Sequence, residues 1–135
     1  MKKISIWLLL ASASALAVAA ENPSVNGKWQ VRMTIGTYES VQVCAFSQNG
    51  TDLSVRCAGG MGAANFTGKV HGRKVGWSFS TKVNGGSFSQ IYQGELVSPT
   101  RIEGSVTMIP LGAGGDLTAT LCPPSSDDKS CLAGK

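Results

Sequence analysis

"FTGKVHGRKVGWSFS" occupies residues 66–80 and "YQGELVSPTRIEGSV" occupies residues 92–106. Each opens on an aromatic residue, skips one, places a glycine, skips one and places an aliphatic residue. Each then turns and returns on alternating apolar positions. Period-two alternation is the mark of a half-buried strand, so each phrase reads as a β-hairpin. In the first copy a two-residue turn at Gly72-Arg73 pairs Val70 with Val75, Gly68 with Trp77 and Phe66 with Phe79. Glycine at the first central position is what a type II′ turn asks for. In the second copy a longer loop over 97–101 pairs Leu96 with Ile102, Gly94 with Gly104 and Tyr92 with Val106. Glycine inside a strand marks a bulge, a sharp bend or a close approach, and a small closed sheet needs such bends. The repeated phrase is therefore explained by coiling a sheet, and no reaction is required of it.

The same period runs outward in both directions. Trp29, Val31, Met33 and Ile35 alternate, as do Leu53 and Val55, and later Leu117, Ala119 and Leu121. Turn residues punctuate the chain at Asn49-Gly50, Gly72, Asn84-Gly85-Gly86, Ser98-Pro99 and 112–115. Strands are predicted at 27–35, 38–47, 52–58, 64–70, 74–82, 87–96, 101–109 and 115–122. No 3.6-residue stripe predicts a helix after residue 20. Short links make consecutive strands antiparallel neighbours. The predicted fold is all-β: an eight-stranded antiparallel up-and-down meander closed into a barrel, which removes exposed edges. An open two-sheet sandwich is the competing arrangement.

Residues 1–20 read as a signal peptide. Lys2 and Lys3 precede an apolar run, and Ala17-Val18-Ala19 and Val18-Ala19-Ala20 fit the small-x-small cleavage rule. The run falls short of the ~20 residues a spanning helix needs. A periplasmic or secreted protein is expected, with no membrane partner. Of 12 Lys+Arg, Lys2 and Lys3 leave with the signal, so 10 stand against 8 Asp+Glu, a net of +2. Nucleic acid wants a clustered basic footprint. The one basic cluster, Lys69, His71, Arg73 and Lys74, sits at a predicted turn and reads as solvated, so no nucleic-acid partner is expected. The expected organisation is signal peptide 1–20, one barrel domain 21–122 and a disulfide-tethered C-terminal tail 123–135.

Cys44, Cys57, Cys122 and Cys131 are an even set in an exported chain, which favours two disulfides. Around Asn49-Gly50 two registers are open. One places Cys44 directly opposite Cys57; the other places them one diagonal apart. The direct register meets disulfide geometry more easily. Pairing Cys44 with Cys57 leaves Cys122–Cys131 to tie down the polar segment between them. With no C-x-x-C pair and one histidine, no metal site is expected.

Enzymatic chemistry lacks parts. His71 is the only histidine and sits at a turn, without a visible nucleophile to serve. Gly85-Gly86-Ser87-Phe88-Ser89 lacks the final glycine and the strand-to-helix setting of a nucleophile elbow. The glycine-rich stretch 57–62 lacks the Gly-Lys-Ser/Thr of a phosphate loop. Asp127-Asp128 reads as solvation. Glu39, Glu95, Glu103 and Asp116 are scattered over separate strands. No catalytic residue and no cofactor are expected.

Gly27-Lys28-Trp29 at the start of the first strand resembles the Gly-x-Trp opening of lipocalin-like (calycin) barrels. The later Phe66-x-Gly68, Trp77, Tyr92-x-Gly94 and Glu103-Gly104 pattern is similar to small exported bacterial barrels of that look. The resemblance implies a closed barrel with an apolar ligand. Such barrels place an arginine near the last strand to cover the tryptophan. Residues 116–121 contain none, which leaves Arg101 or Arg32 for that place. Gly27-x-Trp29, Cys44, Cys57 and Val75-Gly76-Trp77 also resemble the outline of bacterial metalloprotease-inhibitor barrels. There the segment before the barrel, here 21–26, is the inhibitory part and a protease is the partner.

The candidate ligand-lining residues are Trp29, Met33, Phe66, Trp77, Phe79, Phe88, Tyr92 and Met108, with Phe46 in the same interior set. An eight-stranded barrel is just wide enough to be filled by side chains, so a filled interior is the expected state. The leading expectation is an exported, non-enzymatic binding protein for a small apolar or aromatic ligand. The alternative is a protein–protein role such as protease inhibition. An open apolar pocket favours the first; a solid interior with a projecting N-terminus favours the second.

Overall fold

The computed structural model describes residues 23–59 and 63–133. The signal-peptide reading of residues 1–20 lies outside them. Eight strands follow one another: β1 (Gly27–Ile35), β2 (Tyr38–Asn49), β3 (Asp52–Gly59), β4 (Ala64–His71), β5 (Lys74–Val83), β6 (Gly86–Ser98), β7 (Arg101–Ile109) and β8 (Ala113–Leu121). Each pairs antiparallel with the next, and β8 returns to β1, so the meander closes into a barrel. The closed barrel, not the open sandwich, is the outcome of the sequence pattern.

The hairpin registers follow the repeated phrase. Val70 faces Val75 and Gly68 faces Trp77. Leu96 faces Ile102, Gly94 faces Gly104 and Tyr92 faces Val106. The second hairpin differs from its predicted loop in one respect. Ser98 pairs with Arg101, so the turn is only Pro99-Thr100, and Val97 is an extra residue in a bulge between Leu96 and Ser98. A bulge absorbs one unpaired residue and sharpens the local bend. Gln48 faces Leu53 and Cys44 faces Cys57, which selects the direct register.

Three inward-facing glycines are explained by neighbouring backbone. A Cβ on Gly68, Gly104 or Gly115 would lie 1.8, 1.9 or 1.9 Å from the carbonyl oxygen of Gly76, Gln93 or Thr34 respectively. No side chain fits there, so these positions are where adjacent strands coil tightly enough to close the sheet.

One end of the barrel is sealed from within and from the chain's own approach segment. Val25, before β1, is 0% exposed. Its carbonyl accepts the Trp29 indole N–H at 2.9 Å and its N–H donates to Gln48 Oε1 at 2.9 Å. Asn26 Oδ1 in turn accepts from the Gln48 backbone N–H at 2.6 Å. The group that meets the Trp29 indole N–H is thus the Val25 carbonyl. Arg32 and Arg101 both point outward, to Glu39 and Glu103.

The tail corrects the sequence reading, which predicted no helix. Residues Asp128–Ala133 form a short helix, α1, packed on the outside of β1 and β2. Asp127 is its N-cap, its carboxylate accepting the Ser130 N–H at 2.7 Å. Asp128 pairs with Lys28 at 2.7 Å, and the Gln30 amide donates to the carbonyls of Cys131 and Leu132 at 3.1 and 3.0 Å. Cys122, Cys131 and Val43 make a small apolar cluster beneath α1. The Asp127-Asp128 pair read as solvation is a cap and an ion pair.

Candidate functional site

Aromatic rings run through the barrel as a chain of contacts. Trp29 meets Phe46 at 5.7 Å, and Phe46 meets Trp77 edge-on at 5.0 Å. Trp77 stacks on Tyr92 at 5.2 Å, with the planes 8° apart. Tyr92 meets Phe66 at 5.6 Å, Phe66 meets Phe79 at 5.5 Å, and Phe79 meets Phe88 at 6.5 Å. The first half of this chain is solid core. Trp29 and Trp77 are fully buried and packed with Leu53, Val70, Val75 and Ile102 around them.

Beyond Tyr92 the packing stops. A cavity of about 800 Å³ lies at the end of the barrel opposite Val25, beside the β1–β2, β3–β4 and β5–β6 connections. The expected filled interior is therefore found only in the lower half. Six of the eight predicted lining residues meet in this cavity: Met33, Phe66, Phe79, Phe88, Tyr92 and Met108. Trp29 and Trp77 do not line it; they form the packed core beneath, because their positions near the sealed end of β1 and β5 set them one or two layers deeper.

Sequence reasoning missed Ile35, Tyr38, Ser40, Gln42, Ala64 and Gln90 as lining residues. The inner face of β2 alternates Phe46, Cys44, Gln42, Ser40, Tyr38, so parity alone could have found three of them. What hid Ser40, Gln42 and Gln90 is that they are polar, and polar residues are expected to face solvent in a filled barrel. They face inward here because this part of the interior is open.

Among the described residues no Asp, Glu, Lys, Arg or His lines the cavity. Its polar groups are neutral amides and hydroxyls. The Tyr92 side chain is 3% exposed, and its hydroxyl donates to Met33 Sδ at 3.5 Å. The Gln90 amide approaches the same sulfur at 3.9 Å. Burial, with the electrostatic influence of nearby Tyr38 as a lesser cause, pushes the Tyr92 hydroxyl up to about 12. Tyr92 is thus a neutral donor at any physiological pH. The Trp77 indole N–H is buried without a hydrogen-bond partner.

The other singled-out groups lie elsewhere. His71 is exposed beside the β4–β5 turn. Lys69 pairs with Asp52, whose carboxyl is held below its usual value by that hydrogen bond, and Arg73 Nε donates to the Leu96 carbonyl at 2.8 Å. Glu39, Glu95, Glu103 and Asp116 are all exposed on the outer face. Glu95 stands opposite Glu103, but on the outside, flanked by Lys74 and Arg101. Residues 85–89 lie in a strand-to-strand hairpin. The stretch 57–62 reaches past the described residues. Among the described residues no group of three or more His, Cys, Asp or Glu is placed to hold a metal ion. Both cysteine pairs are bridged, Cys44–Cys57 inside the barrel and Cys122–Cys131 outside it. Two disulfides point to an oxidising compartment. Among the described residues no helix is long and apolar enough to cross a membrane. No family model, curated protein or solved structure matches the chain.

Proposed function

We propose that this protein is an exported, non-enzymatic carrier, periplasmic or secreted, that holds a small apolar or aromatic molecule in the mouth of its barrel. The observation that carries the reading is the cavity itself. At about 800 Å³ it lies within the ~300–1,000 Å³ range of small-molecule pockets. Its walls are aromatic and thioether side chains with a few neutral polar groups, the usual make-up of such sites. The lower half of the same barrel holds a buried core around Trp29 and Trp77, so this cavity lies at one end only of the interior. A lipocalin-like relationship would fit this architecture, and the disulfides support export.

The test is native mass spectrometry of the exported protein, followed by titration with apolar aromatic molecules monitored by melting temperature. A ligand that prefers the native state raises it. A protein that carries no small molecule and takes up none from such a panel would remove this reading. Protease inhibition through residues 21–26 gains less support. Val25 is buried in the sealed end and makes two hydrogen bonds, with Gln48 and Trp29, while Asn26 makes one more with Gln48, which weighs against an arm that projects into a partner.

A further inference from the structure

Two donors at the floor of the cavity converge on an acceptor that serves them poorly. The Tyr92 hydroxyl and the Gln90 amide both aim at Met33 Sδ, at 3.5 and 3.9 Å. A thioether sulfur is a weak acceptor. A buried donor left with so weak a partner retains most of its desolvation cost. Tyr92 cannot relieve that cost by ionising, since burial keeps its hydroxyl protonated to about pH 12. With Met33 Sδ in place the residue is 3% exposed, so its hydroxyl meets little water. Met33, in contrast, is unbranched and adaptable, so its sulfur is easily displaced. Around this point the walls are Phe66, Phe79 and Met108, with no charged side chain among the lining residues.

We propose that Tyr92 and Gln90 are the specificity-determining residues of the cavity, a donor pair that reads one oxygen acceptor on the buried end of a neutral, otherwise apolar ligand. The ligand class is thereby narrowed to flat or slender molecules bearing a ketone, quinone, ester or ether oxygen. Plain hydrocarbons satisfy the walls and leave the donors as they were. Carboxylic acids and amines are disfavoured, because their charge would be buried with no counter-charge to meet it. On binding, the acceptor oxygen replaces Met33 Sδ as the partner of both donors, and the thioether swings to pack against the ligand. This inference rests on the carrier reading above.

The experiment compares three molecules of one shape: fluorene, fluorenone and fluorene carboxylate, measured by equilibrium dialysis against the wild-type protein, Tyr92→Phe and Gln90→Leu. The expected result is that fluorenone binds wild type about tenfold more tightly than fluorene, the difference one well-made hydrogen bond can supply. Tyr92→Phe keeps the ring that stacks on Trp77, and is expected to erase most of that preference, read as the ratio of fluorenone to fluorene affinity within the same variant. Gln90→Leu is expected to erase a smaller part, and it keeps the inference open to refutation if Tyr92→Phe folds poorly. Fluorenone and fluorene binding equally well to wild type, or a preference that survives both substitutions, would overturn the donor pair while leaving the carrier reading in place. Preferred binding of the carboxylate would overturn the neutral-ligand class. Binding of none of the three would remove the carrier reading and the donor pair together.

Discussion

Tyr92 lies flat on Trp77, with ring centroids 5.2 Å apart and planes 8° from parallel. One ring lines the cavity and the other is buried in the solid core beneath it. The stack therefore joins a residue that would touch a ligand to an intrinsic fluorophore that would not. We expect a saturable change in tryptophan emission when an aromatic molecule fills the cavity. Trp77→Phe should remove most of that change, and Trp29→Phe should leave it, since Trp29 is separated from the cavity by Phe46 and Trp77. A response that survives Trp77→Phe and vanishes with Trp29→Phe would place the ligand somewhere other than the barrel mouth.

Gly68 and Gly72 lie in one hairpin and are glycines for different reasons. A Cβ on Gly68 would overlap the Gly76 carbonyl oxygen at 1.8 Å, whereas Gly72 has positive φ and open space around it. Gly68→Val should cost at least the ~1–3 kcal/mol of ordinary overpacking, because the obstacle is backbone and cannot rotate away. Gly72→Asn should cost well under 1 kcal/mol, about a few tenths, since asparagine tolerates the left-handed region. Chemical denaturation of both variants measures the difference. Equal losses would mean that the coiling of β4 on β5 does not depend on Gly68.

The barrel was legible in the sequence because a meander is a local problem. Each strand pairs with its sequence neighbour, so alternation and turn residues determine nearly every register, down to Cys44 opposite Cys57. Three features were not legible, each for a physical reason. The α1 helix is a turn and a half long, too short to show a stripe, and it exists through its cap, a disulfide and Gln30 on a distant strand. The Val97 bulge inserts one residue into an otherwise continuous alternation, and a loop absorbs that residue equally well on paper. The open upper half depends on how side-chain volumes sum across eight strands, which no single strand records. Gln42, Ser40 and Gln90 were the visible trace of it: polar residues at inward parity.

Val25 closes the barrel, and its removal should be felt in stability. Burying a valine side chain fully is worth roughly 1.5–3 kcal/mol. Val25→Asp should lose at least that and lower the melting temperature several degrees. Deleting residues 21–26 should do the same and also free the Trp29 indole N–H from the Val25 carbonyl. Thermal melts of the deletion variant decide the point. An unchanged melting temperature would mean that this segment is not part of the folded barrel, and would return weight to a projecting inhibitory arm.

Tyr92 should make the protein sensitive to strong alkali in a defined window. Its hydroxyl is raised from the ordinary 10.0 to about 12, first by burial and second by the electrostatic influence of nearby Tyr38. Below pH 10 both the native and the unfolded chain hold this proton, so the full stability is present. Between pH 10 and about 12 the unfolded chain has released it and the native chain has not, so stability falls as pH rises, by roughly 2–3 kcal/mol across the window. Tyr92→Phe should flatten that slope, and its tyrosinate absorbance should lack the late-ionising component. An unchanged slope in Tyr92→Phe would show that Tyr92 is solvated in the native state.

The two disulfides close loops of similar length, 13 and 9 residues apart in sequence, yet should differ sharply in what they hold. The chain-entropy terms for loops of these sizes lie only about 0.3 kcal/mol apart. Location separates them. Cys44 and Cys57 are buried inside the barrel, in the same core cluster as Phe46 and Trp77, so Cys44→Ala with Cys57→Ala removes packed sulfur as well as the link. Cys122 and Cys131 sit outside, with Val43, where they hold α1 against the barrel wall. A six-residue helix has no stability of its own once released. Cys122→Ala with Cys131→Ala should therefore raise hydrogen exchange at the amides of positions 130 and 131 and leave Val31 and Val106 protected. Its melting temperature should fall less than that of the inner pair's variant. Equal falls, with protection lost across β1 and β2 in both variants, would mean that α1 is a working part of the barrel's cooperative core.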